Sequence, residues 1–237
     1  GGVENTLRIE NGAFLYNYST AQIGFDGSSN SVVLTGPGSR WQIGGLYDNV
    51  TLGYYGSYNS MLVTNGACYV GGITVGHGGQ FNRFLATGAG TTCTNEEVNI
   101  GRSSGSNNLL SVRNGARMNA TILWLSSNTS GNNNQLEVGD PGSLLRLGPI
   151  FVEGMQNRIV ITNGGCISTY SATHINTAGS YETNTVSVDG AGSCWSNSSQ
   201  SAFYVGERGT GSHVRVQNGG SMVDYGPVYI GGSDSET

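Results

Sequence analysis

The side chains able to do chemistry are few and dispersed. Histidines stand at 77, 174 and 213, none at ligand spacing from a cysteine. No Ser/His/Asp set falls on one face of adjacent repeats. The acids are scattered as well; Glu96 and Glu97 are adjacent, in what reads as a solvated corner. Glycoside cleavage needs two carboxylates facing one bond, and no such cluster is visible. The cysteines Cys68, Cys93, Cys166 and Cys194 contain no C-x-x-C, which argues against zinc or a redox motif. The calcium nonapeptide is absent too. The expectation is therefore no catalytic residue, no metal and no cofactor, in a protein that is not an enzyme. N-x-S/T triplets begin at Asn17, Asn49, Asn119, Asn128 and Asn197. Each reads as a corner or outer strand, exposed enough for a glycan in a host that glycosylates.

Composition narrows the classes. Of 237 residues 40 are Gly, only 11% are charged, and net charge is −5. All ten cationic side chains are Arg, too few and too scattered to neutralise phosphates, so no nucleic-acid partner is expected. No apolar run reaches membrane-spanning length, so no membrane insertion is expected. Glycine without a three-residue period excludes collagen, and 36% hydrophobic residues are enough for a core. The chain starts at Gly1 without initiator Met or signal peptide, which reads as a processed product or a segment of a longer protein.

The elements that would position these residues repeat. Asn recurs at 5, 30, 59, 82, 108, 134, 157 and 184, and Ser212 takes the ninth place. The mean period is about 26 residues, within the range of solenoids. After each anchor the second and fourth residues are apolar, as in Val32/Leu34, Leu110/Val112 and Val186/Val188, the alternation of a strand with one buried face. A turn follows in two alternating forms, Asn-Gly (Asn65-Gly66, Asn114-Gly115) or a longer one (Gly36-Pro37-Gly38-Ser39, Gly190-Ala191-Gly192-Ser193). Two further short strands close each repeat. Three strands and three corners predict an all-β chain: a right-handed parallel β-helix of about nine coils alternating two coil types. It reads as one domain over 1–237 with uncapped ends.

This register gives the special residues their places. The Asn anchors stack into a column, and each amide both donates and accepts, so the prediction is a structural ladder. Cys166 and Cys194 fall on the outward parity of adjacent coils, about 5 Å apart, and are predicted to form a disulfide. Cys68 is outward and Cys93 inward, so a bond between them needs a one-residue slip; otherwise both are free thiols. Thr does not recur at one phase as an ice-binding array would need. Tyr54, Tyr55 and Tyr58 crowd one corner, where loop packing is the ordinary use and sugar or protein contact the functional one.

At this level the residues resemble a known family. Val186-x-Val188-Asp189-Gly190-Ala191-Gly192-Ser193-x-Trp195, then Val205-Gly206, then Val214-x-Val216-Gln217-Asn218-Gly219-Gly220 is similar to the autotransporter/PEP-CTERM-associated repeat. The resemblance spans essentially the whole chain. It implies a secreted or surface-exposed β-solenoid of adhesin type, with no catalytic residues to carry over. The closing Gly of the pattern is replaced at Ser126, Glu153 and Asn176, so those corners are expected to differ.

The functional expectation is an extracellular or cell-surface structural or adhesive solenoid. Its coils would stack end to end into a homo-oligomeric filament, or form part of a longer adhesin contacting surface glycans. The alternative is a carbohydrate-binding or carbohydrate-degrading β-helix, which a clustered acidic groove would favour.

Overall fold

The structure is a computed structural model that describes residues 1–45, 48–128, 130–177 and 183–232. It contains strands and no helix among these residues, and every strand pairing is parallel. The first strands of nine coils form one sheet in chain order, from Thr6–Ile9 to His213–Gln217. Second and third strands form the other faces, joined into one sheet because coils four and five run straight through the corner between them (Thr92–Ile100 and Arg117–Leu125). The chain is a parallel β-solenoid, with each coil numbered here from its Asn anchor.

Register follows the alternation residue for residue. Val32, Met61, Phe84, Leu110, Leu136, Ile159, Val186 and Val214 lie in one column. Leu15, Trp41, Tyr69, Cys93, Met118, Leu145, Ile167, Trp195 and Met222 form another. Together with the third strands they fill one continuous core. A typical interior first strand reads half-buried, buried, half-buried, buried, half-buried, because period-two side chains alternate between core and solvent. In the last coil the same strand is mostly exposed, since only one neighbour covers it.

The two turn forms are coupled, which explains the two-coil repeat. In the Asn-Gly turns both central residues have positive φ, as at Asn114 (53°) and Gly115 (81°), the backbone that Asn and Gly tolerate best. The buried hydroxyl of each following long turn caps that Gly. Gly12 N–H donates to Ser39 Oγ at 3.1 Å, Gly66 to Thr91 Oγ1 at 3.1 Å, Gly115 to Ser143 Oγ at 2.9 Å and Gly164 to Ser193 Oγ at 3.0 Å. One coil type therefore supplies the acceptor that the other type's turn requires.

One expectation about Thr is corrected. Thr35, Thr64 and Thr87 do stack over three consecutive coils, before Arg113 interrupts the column.

Candidate functional site

The Asn ladder is continuous and directional. Backbone N–H of each anchor donates to Oδ1 of the next: Asn5 to Asn30 at 3.1 Å, Asn59 to Asn82 at 2.9 Å, Asn108 to Asn134 at 2.9 Å, Asn157 to Asn184 at 2.8 Å. From Asn5 to Asn108, Nδ2 donates to that same oxygen, as from Asn59 at 3.0 Å. From Asn30 onward a second Nδ2 bond reaches a corner carbonyl, Gly27 for Asn59 and Gly79 for Asn108, each at 3.2 Å. Anchors 30 to 184 are buried, and their polar atoms are consumed by one another. The column is structural and offers a ligand no free group in its interior.

The three departures from the closing Gly change the ladder at the anchor that follows each of them. A Cβ at Gly76 would come 2.1 Å from Nδ2 of Asn108, and one at Gly101 2.0 Å from that of Asn134. Ser126 and Asn176 keep the left-handed backbone, with φ 60° and 63°; at Glu153 it moves to Gly154, φ 69°. The new groups then capture the ladder amides. Nδ2 of Asn134 donates to Ser126 Oγ at 3.1 Å, that of Asn157 to the Glu153 carbonyl, and that of Asn184 to Asn176 Oδ1. At Asn134 and Asn157 the side-chain rung is diverted while the backbone rung persists.

Cys166 and Cys194 are directly paired in register and disulfide-bonded, Cα–Cα 4.6 Å. Cys68 faces Thr92 and Cys93 faces Tyr69, so no slip occurs and both thiols are free. Burial pushes the Cys93 thiol far above its usual range. The five sequons divide. Asn119 is exposed. Asn17 accepts from Trp41 Nε1 at 2.8 Å, Asn49 bonds Thr51 and Thr74, and Asn128 Oδ1 accepts from Ser130 N–H. Asn197 corrects the expectation of exposure: it is 1% exposed, with Nδ2 bonded to the Ser201 carbonyl and Asp224.

Two clusters escaped sequence reading. His174 is not an isolated surface histidine. The outward residues of five successive third strands, Trp124, Phe151, His174, Tyr204 and Tyr229, stack at 4.3 to 5.2 Å between ring centroids. His174 Nδ1 lies 2.8 Å from Glu207 Oε2. The signal was present, because all five share one register. At the crowded tyrosine corner, Tyr54 stacks between Phe25 (5.1 Å) and His77 (4.3 Å), which is packing. Tyr55 and Tyr58 remain 61% exposed.

The second cluster concerns the acids. Asp48, Glu96 and Glu97 line one depression, which corrects the reading of dispersed carboxylates. Among the described residues no group of three His, Cys, Asp or Glu side chains is arranged to hold a metal ion. Among the same residues no helix is long and apolar enough to cross a membrane.

The two end coils are chemically incomplete. Among the described residues, each leaves one edge of its three strands unpaired. Leu7, Val216, Val228 and Ile230 are exposed there, Ile230 by 82%, whereas the equivalent Val205 one coil inward is 8% exposed. Asn5 accepts no ladder bond among the described residues. Compared with known proteins, the chain matches no family model, no curated protein and no solved structure.

Proposed function

We propose that this chain is a non-catalytic, extracellular or surface-exposed structural β-solenoid, of the adhesin-like kind that its repeat resembles, extended by coil-on-coil stacking at its ends. The observation that carries the reading is the state of the end coils. Their strand edges, apolar side chains and the outer face of Asn5 are the same groups that pair, pack and bond inside the stack. A further coil, from the same polypeptide or a second copy, completes all of them at once. Exposed edges are otherwise hazards that proteins cover or charge, and head-to-tail contact of unlike ends propagates without closing. The Cys166–Cys194 disulfide supports an oxidising compartment. The stacked core and satisfied ladder suit a stiff spacer better than a site that must move.

Sedimentation and electron cryomicroscopy of the 237-residue chain test the reading. The expected result is concentration-dependent rods whose strand spacing of about 4.8 Å runs unbroken across chain boundaries. Discrete monomers at all concentrations, with end strands protected from hydrogen exchange, would refute end stacking by this chain.

A further inference from the structure

The two turn forms make the ends of the stack selective. Inside it, an Asn-Gly coil lies between two long-turn coils and makes a different set of contacts with each. Towards the following coil, its Gly N–H donates to a buried Ser or Thr hydroxyl, as Gly115 does to Ser143. Towards the preceding coil there are three contacts. The Asn side chain donates back in all four cases. Nδ2 of Asn65 reaches Thr35 Oγ1 at 3.1 Å, that of Asn114 Thr87 Oγ1 at 2.9 Å, that of Asn163 Asp140 Oδ1 at 3.2 Å and that of Asn218 Asp189 Oδ1 at 2.7 Å. The first Gly of the long turn sends its N–H to the residue before that Asn, Gly36 to the Thr64 carbonyl and Gly88 to that of Arg113, each at 3.2 Å. The second residue of the long turn covers the Gly of the Asn-Gly turn. A Cβ at Gly66 would come 3.7 Å from Pro37, and one at Gly115 3.5 Å from Ala89.

Coils one and nine, at the two ends, are both of the Asn-Gly form, at Asn11-Gly12 and Asn218-Gly219. Coil one lacks the preceding set: a Cβ at Gly12 would meet nothing within 4 Å. Coil nine lacks the following set: among the described residues no hydroxyl reaches the Gly219 N–H as Ser193 reaches that of Gly164. We infer that both ends are built to receive a β-solenoid coil of the long-turn type, whose turn reads Gly-x-Gly-Ser or Gly-x-Gly-Thr. This rests on the end stacking proposed above and names the partner that fits it. Such a coil continues the contacts of the interior at either end. After coil nine it brings the hydroxyl for Gly219. Before coil one it brings an N–H for the Glu10 carbonyl, an acceptor for Asn11 and a small residue over Gly12. The end of a second copy is the poorer occupant. Head to tail, it sets Asn218-Gly219 against Asn11-Gly12 and leaves the Gly219 N–H without its acceptor. It also brings Arg215 next to Arg8 in one outward column, and like charges directly opposite destabilise a pair of strands.

Two extended chains of equal length test this beside the parent, each keeping the full sequence. In the first, segment 77–101, a long-turn coil, is duplicated after Gly231. In the second, segment 102–126, an Asn-Gly coil, is duplicated at the same place. Leu85 or Ser111 then separates Arg215 from Arg8, so neither chain carries the charge conflict and turn type is the difference between them. Circular dichroism and thermal unfolding establish that each folds. Amide exchange at monomer concentration reads the end directly. The Gly219 N–H should exchange at least tenfold more slowly with the long-turn coil than with the Asn-Gly coil or in the parent. Sedimentation reads assembly. A net hydrogen bond shifts an equilibrium by about two- to tenfold, and several are restored at each junction. The long-turn chain should therefore form rods at a concentration at least tenfold below the Asn-Gly chain. Equal Gly219 exchange in the two extended chains would overturn the inference whether or not rods form. Equal thresholds for rod formation would overturn it too, leaving end stacking in place. Rods from none of the three chains would refute end stacking by copies, and the Gly219 amide alone would then decide for or against the long-turn coil.

Discussion

At the scale of single residues, the ladder amides have the largest structural consequence per atom. Asn108 accepts from Asn82 N–H and Nδ2 and donates to Gly79 and Asn134. Asn108→Ala orphans a buried N–H and a corner carbonyl at once. The expected loss is about 2–4 kcal/mol, read by urea unfolding, and Asn108→Asp should recover only the part due to the acceptor. His77 gives a pH-dependent prediction. Burial, then the neighbouring Arg102, holds its imidazole below the usual range, and the ring stacks on Tyr54. The unfolded chain therefore binds the extra proton. Stability should be constant above about pH 6.5 and fall as pH drops from there towards the folded-state value. His77→Gln should flatten that slope in urea midpoints measured between about pH 7.5 and 5.

At the scale of elements, adjacent coils are held by register, and one pair is also held covalently. The Cys166–Cys194 bond closes a loop of 28 residues in sequence separation. In the chain-entropy account a loop of that size contributes about 3–4 kcal/mol by restricting the unfolded chain. Replacing both cysteines with Ser should lower stability by about that amount, and dithiothreitol should have the same effect on the parent chain and none on the variant. Coil type is an element-scale property too. The buried hydroxyl of a long turn satisfies the Gly N–H of the preceding Asn-Gly turn, so the alternation is a hydrogen-bonding requirement. Two neighbouring coils of one type would leave that N–H without its partner.

At the scale of the whole molecule, each coil pairs its strands only with the neighbouring coils, so stability approximates a sum of coil and interface terms. Interior coils gain from two interfaces and end coils from one. In the end stacking we propose, the same inequality would drive assembly, because covering Ile230 and its neighbours converts an end into an interior. Placing a charge in that interface, Ile230→Glu, leaves the interior core untouched and should raise the concentration for rod formation at least tenfold by sedimentation. An unchanged threshold would show that association uses another face.

The repeat spacing and strand parity by themselves determined the coils, the inward columns, the Asn ladder and the Cys166–Cys194 bond. These are readable because a period-two side-chain pattern on a fixed repeat leaves one register that buries the apolar set, and a slip of one residue would expose it. Even the odd corners at Ser126, Glu153 and Asn176 were marked by a missing Gly. Their physical content, the diversion of the next anchor's amide to a group at the corner just before it, needed coordinates. The shared depression of Asp48, Glu96 and Glu97 and the burial of Asn197 were decided by tertiary structure alone. Asp48 and Glu96 are far apart in sequence, and they share a cavity because the corner of coil three between them is a single Gly71. Corner length depends on how each coil closes over its neighbours, which no local pattern encodes.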